Sequence, residues 1–214
     1  MQDNTSSRGM PDTAMALLTE LQTRTSFLMV GTIEPRKGHA QTLAAFDLLW
    51  QRGVQANLVI VGKIGWMVDS LQQQLREHPQ AGKQLFWLEG ISDEYLAQVY
   101  GAATCLLASS EGEGFGLPLI EAAQYQLPLL VRDLPVFREV AGEHAYYFNG
   151  LAPENLAAAI ERWLALHANG EHPRSESMPW LTWDESAAQL LQCLLSPQQP
   201  CSSQKKDKNS IPAL

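Results

Sequence analysis

The chain has 214 residues, enough for one well-cored domain and short for two. Its 45% hydrophobic and 18% charged residues fit an ordinary soluble globular protein, and a formal net charge of -8 argues against broad attraction to nucleic acid or anionic lipid. No apolar run is long enough to span a bilayer, and Met1-Gln-Asp-Asn-Thr5 lacks the basic and apolar regions of a secretory leader. The expected setting is cytoplasmic. The cysteines, Cys105, Cys193 and Cys201, are widely spaced, and Cys105 sits in an apolar run, as a buried free thiol in a reducing compartment would.

Residues 1–25 are polar or irregular, with Gly9 and Pro11, and read as a flexible lead-in or linker stub. Regular patterning begins at Phe27. Short apolar runs at residues 27–31, 57–61, 85–88, 104–108, 128–131 and 145–148 are flanked by Gly and polar turns and read as buried strands. Helical spacing lies between most of them. Leu43, Phe46 and Trp50 share one face, and Leu71 and Leu75 another. Leu96, Val99 and Tyr100 follow an N-cap at Ser92-Asp93-Glu94, and Pro153 opens a helix with Leu156, Ile160, Trp163 and Leu164 on one stripe. A last helix after Thr182 aligns Trp183, Ala187, Leu190, Leu191 and Leu194, and residues 196–214 read as a disordered tail. Alternating strands and helices predict an α/β fold: a Rossmann-like, doubly wound parallel sheet in one domain over residues 26–195. Ligands of such sheets sit at the carboxyl ends of the strands, so the chemistry belongs in the loops that follow the apolar runs.

Two loops stand out. The first, Gly31-Thr-Ile-Glu-Pro-Arg36-Lys37-Gly38, leads into a helix. A helix N-terminus with two adjacent cations suits a diphosphate; a solvated Arg-Lys pair after a turn accounts for the same residues. The order is not that of a Walker loop. The second loop, Ser109-Ser-Glu-Gly-Glu113-Gly114-Phe115-Gly116-Leu117-Pro-Leu-Ile-Glu121, places three glycines before another helix start. Glu113 would lie on the loop and Glu121 about one turn into the helix. Carboxylates so placed accept hydrogen bonds from vicinal hydroxyls, as a sugar or ribose presents.

The spacing from Glu113 to Glu121, with the core Glu-Gly-Phe-Gly-Leu-Pro-x-x-Glu, resembles the signature of the retaining glycosyltransferases called group 1 or family four. Gly31 to Gly38 resembles that family's Gly-x-x-x-x-x-Lys-Gly loop, Val61-Gly62-Lys63 its second-strand turn, Glu89 to Leu96 its base-contacting turn, and Pro128 to Pro135 the segment after the signature helix. The likeness covers residues 27–195. It implies the C-terminal, donor-binding half of a GT-B fold, whose substrate is a nucleoside-diphosphate sugar and which needs no metal or other cofactor. Arg36 and Lys37 would hold the diphosphate and neutralise the leaving nucleotide, with Glu113 contacting the donor sugar and Glu121 the ribose. Gly31, Gly62 and Gly114 would shape the site. The amides of Phe115, Gly116 and Leu117 would orient phosphate and sugar, and Ile91 would line the base pocket. The likeness is to bacterial polysaccharide mannosyltransferases, and so favours GDP-mannose as donor, with UDP- and ADP-sugars left open, and a glycan or lipid-linked acceptor. It also implies an N-terminal acceptor-binding domain that these residues do not contain, and through it a peripheral association with the inner face of the membrane. A non-catalytic nucleotide-sugar-binding module that regulates a separate transferase is the alternative. The family's Gly before the proline of Pro128-Leu-Leu-Val is replaced, two places earlier, by Gln126, which predicts a differently shaped turn.

Other residues read as ordinary. His39, at the presumed helix start, is expected to be a solvated imidazole, and His78, His144, His167 and His172 show no ligand spacing. Ser109 has no His and Asp beside it to make it a nucleophile, so donor contact or capping is expected. Trp87 and Trp163 fall on core faces.

Overall fold

A computed structural model describes residues 7–195. Six strands form one parallel sheet in the order β3-β2-β1-β4-β5-β6: β1 (Ser26–Val30), β2 (Asn57–Val61), β3 (Leu85–Leu88), β4 (Cys105–Ala108), β5 (Leu129–Arg132) and β6 (Ala145–Phe148). Helices cover both faces, so the strands are buried on both sides and read as continuous apolar runs. Every residue of β2 and β5 is buried, and Cys105 is a buried free thiol whose pKa burial pushes up.

One face is packed by α2 (His39–Gln51), α3 (Asp69–Glu77) and α7 (Pro153–Ala168). Here Phe27 meets Phe46 and Trp163 edge-on, with ring centres 5.7 and 5.3 Å apart, the arrangement that ring quadrupoles favour. The other face is packed by α1 (Ala14–Thr23), α4 (Asp93–Ala102), α5 (Leu117–Gln124) and α6 (Pro135–Ala141). The Ser92 side chain caps α4 by accepting from the Tyr95 amide at 3.0 Å.

The lead-in departs from expectation. Residues 14–23 form α1, which buries Ala14, Leu18 and Leu21 against the second face. These three lie at i, i+4 and i+7, one stripe of a helix, and their burial offsets the entropy lost in ordering the segment. The expected domain is also divided. Among the described residues, those up to Met178 and those from Pro179 form separate compact units. In the second, α8 (Trp183–Leu195) opens on a capping box: Thr182 Oγ1 accepts from the Glu185 amide at 3.2 Å, and the Glu185 carboxylate accepts from the Thr182 amide at 2.8 Å. The tail expected at 196–214 and Cys201 lie outside the described residues.

Gln126 lies in the turn between α5 and β5, with φ at 57°. The turn therefore takes the left-handed backbone that a glycine would adopt, on a residue with a side chain. Its geometry is fixed by amides of Gln126 and Leu127 donating to the Ala123 and Ala122 carbonyls at 3.0 and 2.9 Å.

Candidate functional site

The strand order reverses between β1 and β4, and the crevice above their carboxyl ends is the topological switch point of the sheet. The two loops singled out in sequence meet there. The first continues the ladder past β1: the Gly31 amide donates to Val61 and the Ile33 amide to Lys63, each at 2.9 Å. The turn after β2 comes so close that a Cβ on Gly62 would lie 1.9 Å from the Gly31 carbonyl oxygen, which leaves room only for glycine. Trp87 braces the same turn from β3, its indole N–H donating to the Gly62 carbonyl at 2.9 Å while its ring packs at the edge of the core.

A single 3-10 turn, Pro35–Lys37, ends at Gly38, whose φ of 74° sends the chain into α2. Gly38 also lies against the second loop, since a Cβ there would be 2.3 Å from the Ser109 carbonyl oxygen. The Glu111 amide donates to the Arg36 carbonyl at 2.7 Å, and the Ser109 hydroxyl lies 3.2 Å from the carbonyls of Lys37 and Gly38 and 2.8 Å from Thr42 Oγ1. The loops are thus stitched through backbone, which fixes the side chains they carry. Ser109 serves this stitching rather than the capping of a helix.

Glu113 is the centre of the charged group. Its carboxylate accepts from Lys37 Nζ at 2.5 Å, from Ser110 Oγ at 2.8 Å and from Arg36 at 3.3 Å. Partial burial works to raise its pKa, but the hydrogen bonds from Lys37 and Ser110 and the charges of Lys37 and Arg36 outweigh it and hold the carboxyl below its usual range. Arg36 also pairs with Glu34 at 3.0 Å. Gly116 precedes α5, so the start of that helix borders the same crevice as the start of α2. Phe115 and Leu117 are exposed beside it.

Not every candidate converges. Glu121 is held by Tyr100, whose hydroxyl donates to its carboxylate at 2.6 Å. Ile91 packs at the edge of the second face and lines a different depression, with Leu17, Leu88 and Tyr95. Gly114 lies on the loop with open space around it.

The imidazole of His39 differs from expectation. It is 2% exposed, because the first turn of α2 drops it between the ends of β1 and β4. Burial first, then the charge of Lys37, lower its pKa to about 4, so it is neutral near pH 7. One functional residue was missed in sequence altogether. Arg132, at the carboxyl end of β5, is buried and donates to the Ser109 and Ser110 carbonyls at 2.9–3.1 Å, to the Gly150 carbonyl and to Gln41 Oε1. It clamps the base of the second loop. The signal was a lone cation ending the apolar run Leu129-Leu-Val-Arg132, where a buried charge needs several acceptors.

Comparison with known proteins bears on the family and the fold. The family described as glycosyl transferases group 1 matches residues 16–176. The chain is 60% identical over 188 residues to the serotype-specific mannosyltransferase WbdA of Escherichia coli, covering 88% of this chain and 23% of that protein. It is 33% identical over 117 residues to the O-antigen chain mannosyltransferase B of Escherichia coli, covering 54% and 30%. The chain therefore spans less than a third of the length of either relative. In fold it is similar to the C-terminal domain of a glycosyl transferase group 1 family protein from Francisella tularensis, with a TM-score of 0.60, 18% identity and coverage of 77% and 85%. The sucrose-phosphate synthase of Thermosynechococcus elongatus gives a TM-score of 0.66 at 24% identity, with coverage of 87% and 49%.

Proposed function

The chain belongs to the glycosyl transferases group 1 family, and from that premise we propose that it is the donor-binding part of a retaining mannosyltransferase that takes GDP-mannose and extends a polysaccharide or lipid-linked glycan. The observation that carries this is the convergence of Arg36, Lys37 and Glu113 over the crevice between β1 and β4, beside the starts of two helices. Arg36 and Lys37 hold the diphosphate and take up charge as the nucleotide leaves. Glu113 accepts hydrogen bonds from the donor sugar, and the amides of Phe115, Gly116 and Leu117 orient sugar and phosphate. Glu121, steadied by Tyr100, binds the ribose; the role expected for Ile91 at the base is not carried over, because it lines a different depression. The choice of mannose is supported by the names of the relatives; the choice of guanine rests on the resemblance alone. Arg36 and Lys37 do the work a metal would otherwise do, so chelation should leave binding unchanged.

Transfer needs the acceptor hydroxyl held against the anomeric carbon with water excluded. One Rossmann half has no opposing wall for this, and we assign that wall to an acceptor-binding domain, which would also bring the assembly to the inner face of the membrane. A thermal-shift panel of GDP, UDP, ADP and CDP with their sugars tests the donor, because a ligand stabilises the chain by RT ln(1 + [L]/Kd). GDP and GDP-mannose are expected to raise Tm; a response to UDP alone would move the donor assignment. A labelled-donor assay with and without an acceptor-binding domain then tests transfer. Binding without transfer in either case would favour a regulatory module.

A further inference from the structure

One buried polar group in the crevice has no work in the donor reading. His39 shares its cavity with Lys37, Ser110 and Glu113, over the carboxyl ends of β1 and β4 at Val30 and Ala108. Among the described residues neither of its ring nitrogens has a hydrogen-bond partner, although the side chain is almost wholly enclosed. A buried imidazole left unpaired is destabilising, and native interiors rarely tolerate one without a reason. A residue that served packing alone would be better apolar here, since Met29, Leu106 and Phe137 also line the cavity.

We propose that His39 is a binding residue for the diphosphate of the donor: from the floor of the crevice its ring N–H donates to a phosphate oxygen that Lys37 and the starts of α2 and α5 draw in. The inference rests on the donor reading of the site. Three features favour this ligand chemistry. The place is the switch point, where ligands of doubly wound sheets settle. The surroundings hold one carboxylate, Glu113, against two cations, Lys37 and Arg36, and two helix N-termini, a balance that favours an anion. A neutral ring, finally, adds a donor beside Lys37 without adding a repelling charge.

The test uses the 214-residue chain with GDP as probe and guanosine as the phosphate-free control. His39→Leu removes the hydrogen-bonding ring and keeps an apolar volume. GDP affinity is expected to fall about tenfold, the loss of one hydrogen bond to a charged group, with guanosine unchanged and Tm no lower than wild type. His39→Gln, which keeps an N–H donor, should recover part of the loss and serves also if the leucine variant does not fold. In wild type, saturating GDP should move the His39 ring-nitrogen resonances, a change that packing alone would not give. Equal GDP affinity in wild type and both variants, or ring resonances unmoved by GDP, overturns the proposal while the donor reading stands. Failure of wild type to bind any nucleoside diphosphate sinks the donor reading, and this inference with it.

Discussion

Lys37 has one ammonium and two claims on it. In the structure it lies 2.5 Å from Glu113, which Arg36 and Ser110 also contact. An arriving phosphate must share these cations with the carboxylate. Lys37→Ala should therefore weaken nucleoside-diphosphate binding by roughly one to two powers of ten and leave nucleoside binding unchanged. Glu113→Ala should spare or tighten the free nucleotide, because it releases both cations, yet remove the extra affinity contributed by the sugar. Titration calorimetry with nucleotide and nucleotide sugar reads both effects, and unchanged affinities in both variants would remove these residues from the donor site. His39 gives a pH signature of its own. Its folded pKa, about 4, lies below the ordinary 6.5, so in that window the unfolded chain binds a proton that the folded chain refuses. Stability should fall as pH drops below about 6.5 and level off below about 4, by at most about 3 kcal/mol for this group. Urea midpoints at about pH 7 and about pH 4.5 check this: His39→Leu should lose less stability than wild type over the interval. An equal loss would place the pH dependence elsewhere.

At the scale of elements, the strands were the readable part, because a strand buried on both faces must be apolar throughout. The helix α1 was not. It is apolar over Ala14-Met-Ala-Leu-Leu18 and again at Leu21, but Met15 is exposed, and only the surface offered by α4 and the sheet selects Ala14, Leu18 and Leu21 as the buried stripe. The site divides in the same way. The motif spacing marked Arg36, Lys37 and Glu113, but their direct contact joins residues 76 apart, a distance only the sheet order closes. His39 was misjudged for a related reason: a helix's first turn is usually wet, and this one is roofed by the second loop. The turn at Gln126 shows where local rules yield to tertiary ones. With φ at 57°, its side chain occupies a conformation that is about 1–2 kcal/mol unfavourable for an L-residue. Gln126→Gly relieves this but loosens the unfolded chain, so a net gain of roughly 0.5–1 kcal/mol is expected, a rise of about 1–3 °C in Tm. A lower Tm would show that the glutamine side chain holds the turn by contacts of its own.

Taken as a whole, the sheet is two half-sheets, β3-β2-β1 and β4-β5-β6, each built from one continuous stretch of chain. Their junction is thin: β1 and β4 register two residue pairs, whereas β1 and β2 register five. Lys37 and His39 come from the first half, and Ser110 and Glu113 from the second, with Arg132 and Gln41 bridging them further. The crevice is thus a seam, and neither half owns it. During folding each half can assemble from its own neighbours, but the seam exists only after they dock, so the site should be among the last features to mature. A ligand that spans it grips both halves at their least-paired join. It would act as a rivet, slowing the parting of the halves and turning occupancy by substrate into kinetic protection of the chain against unfolding and proteolysis.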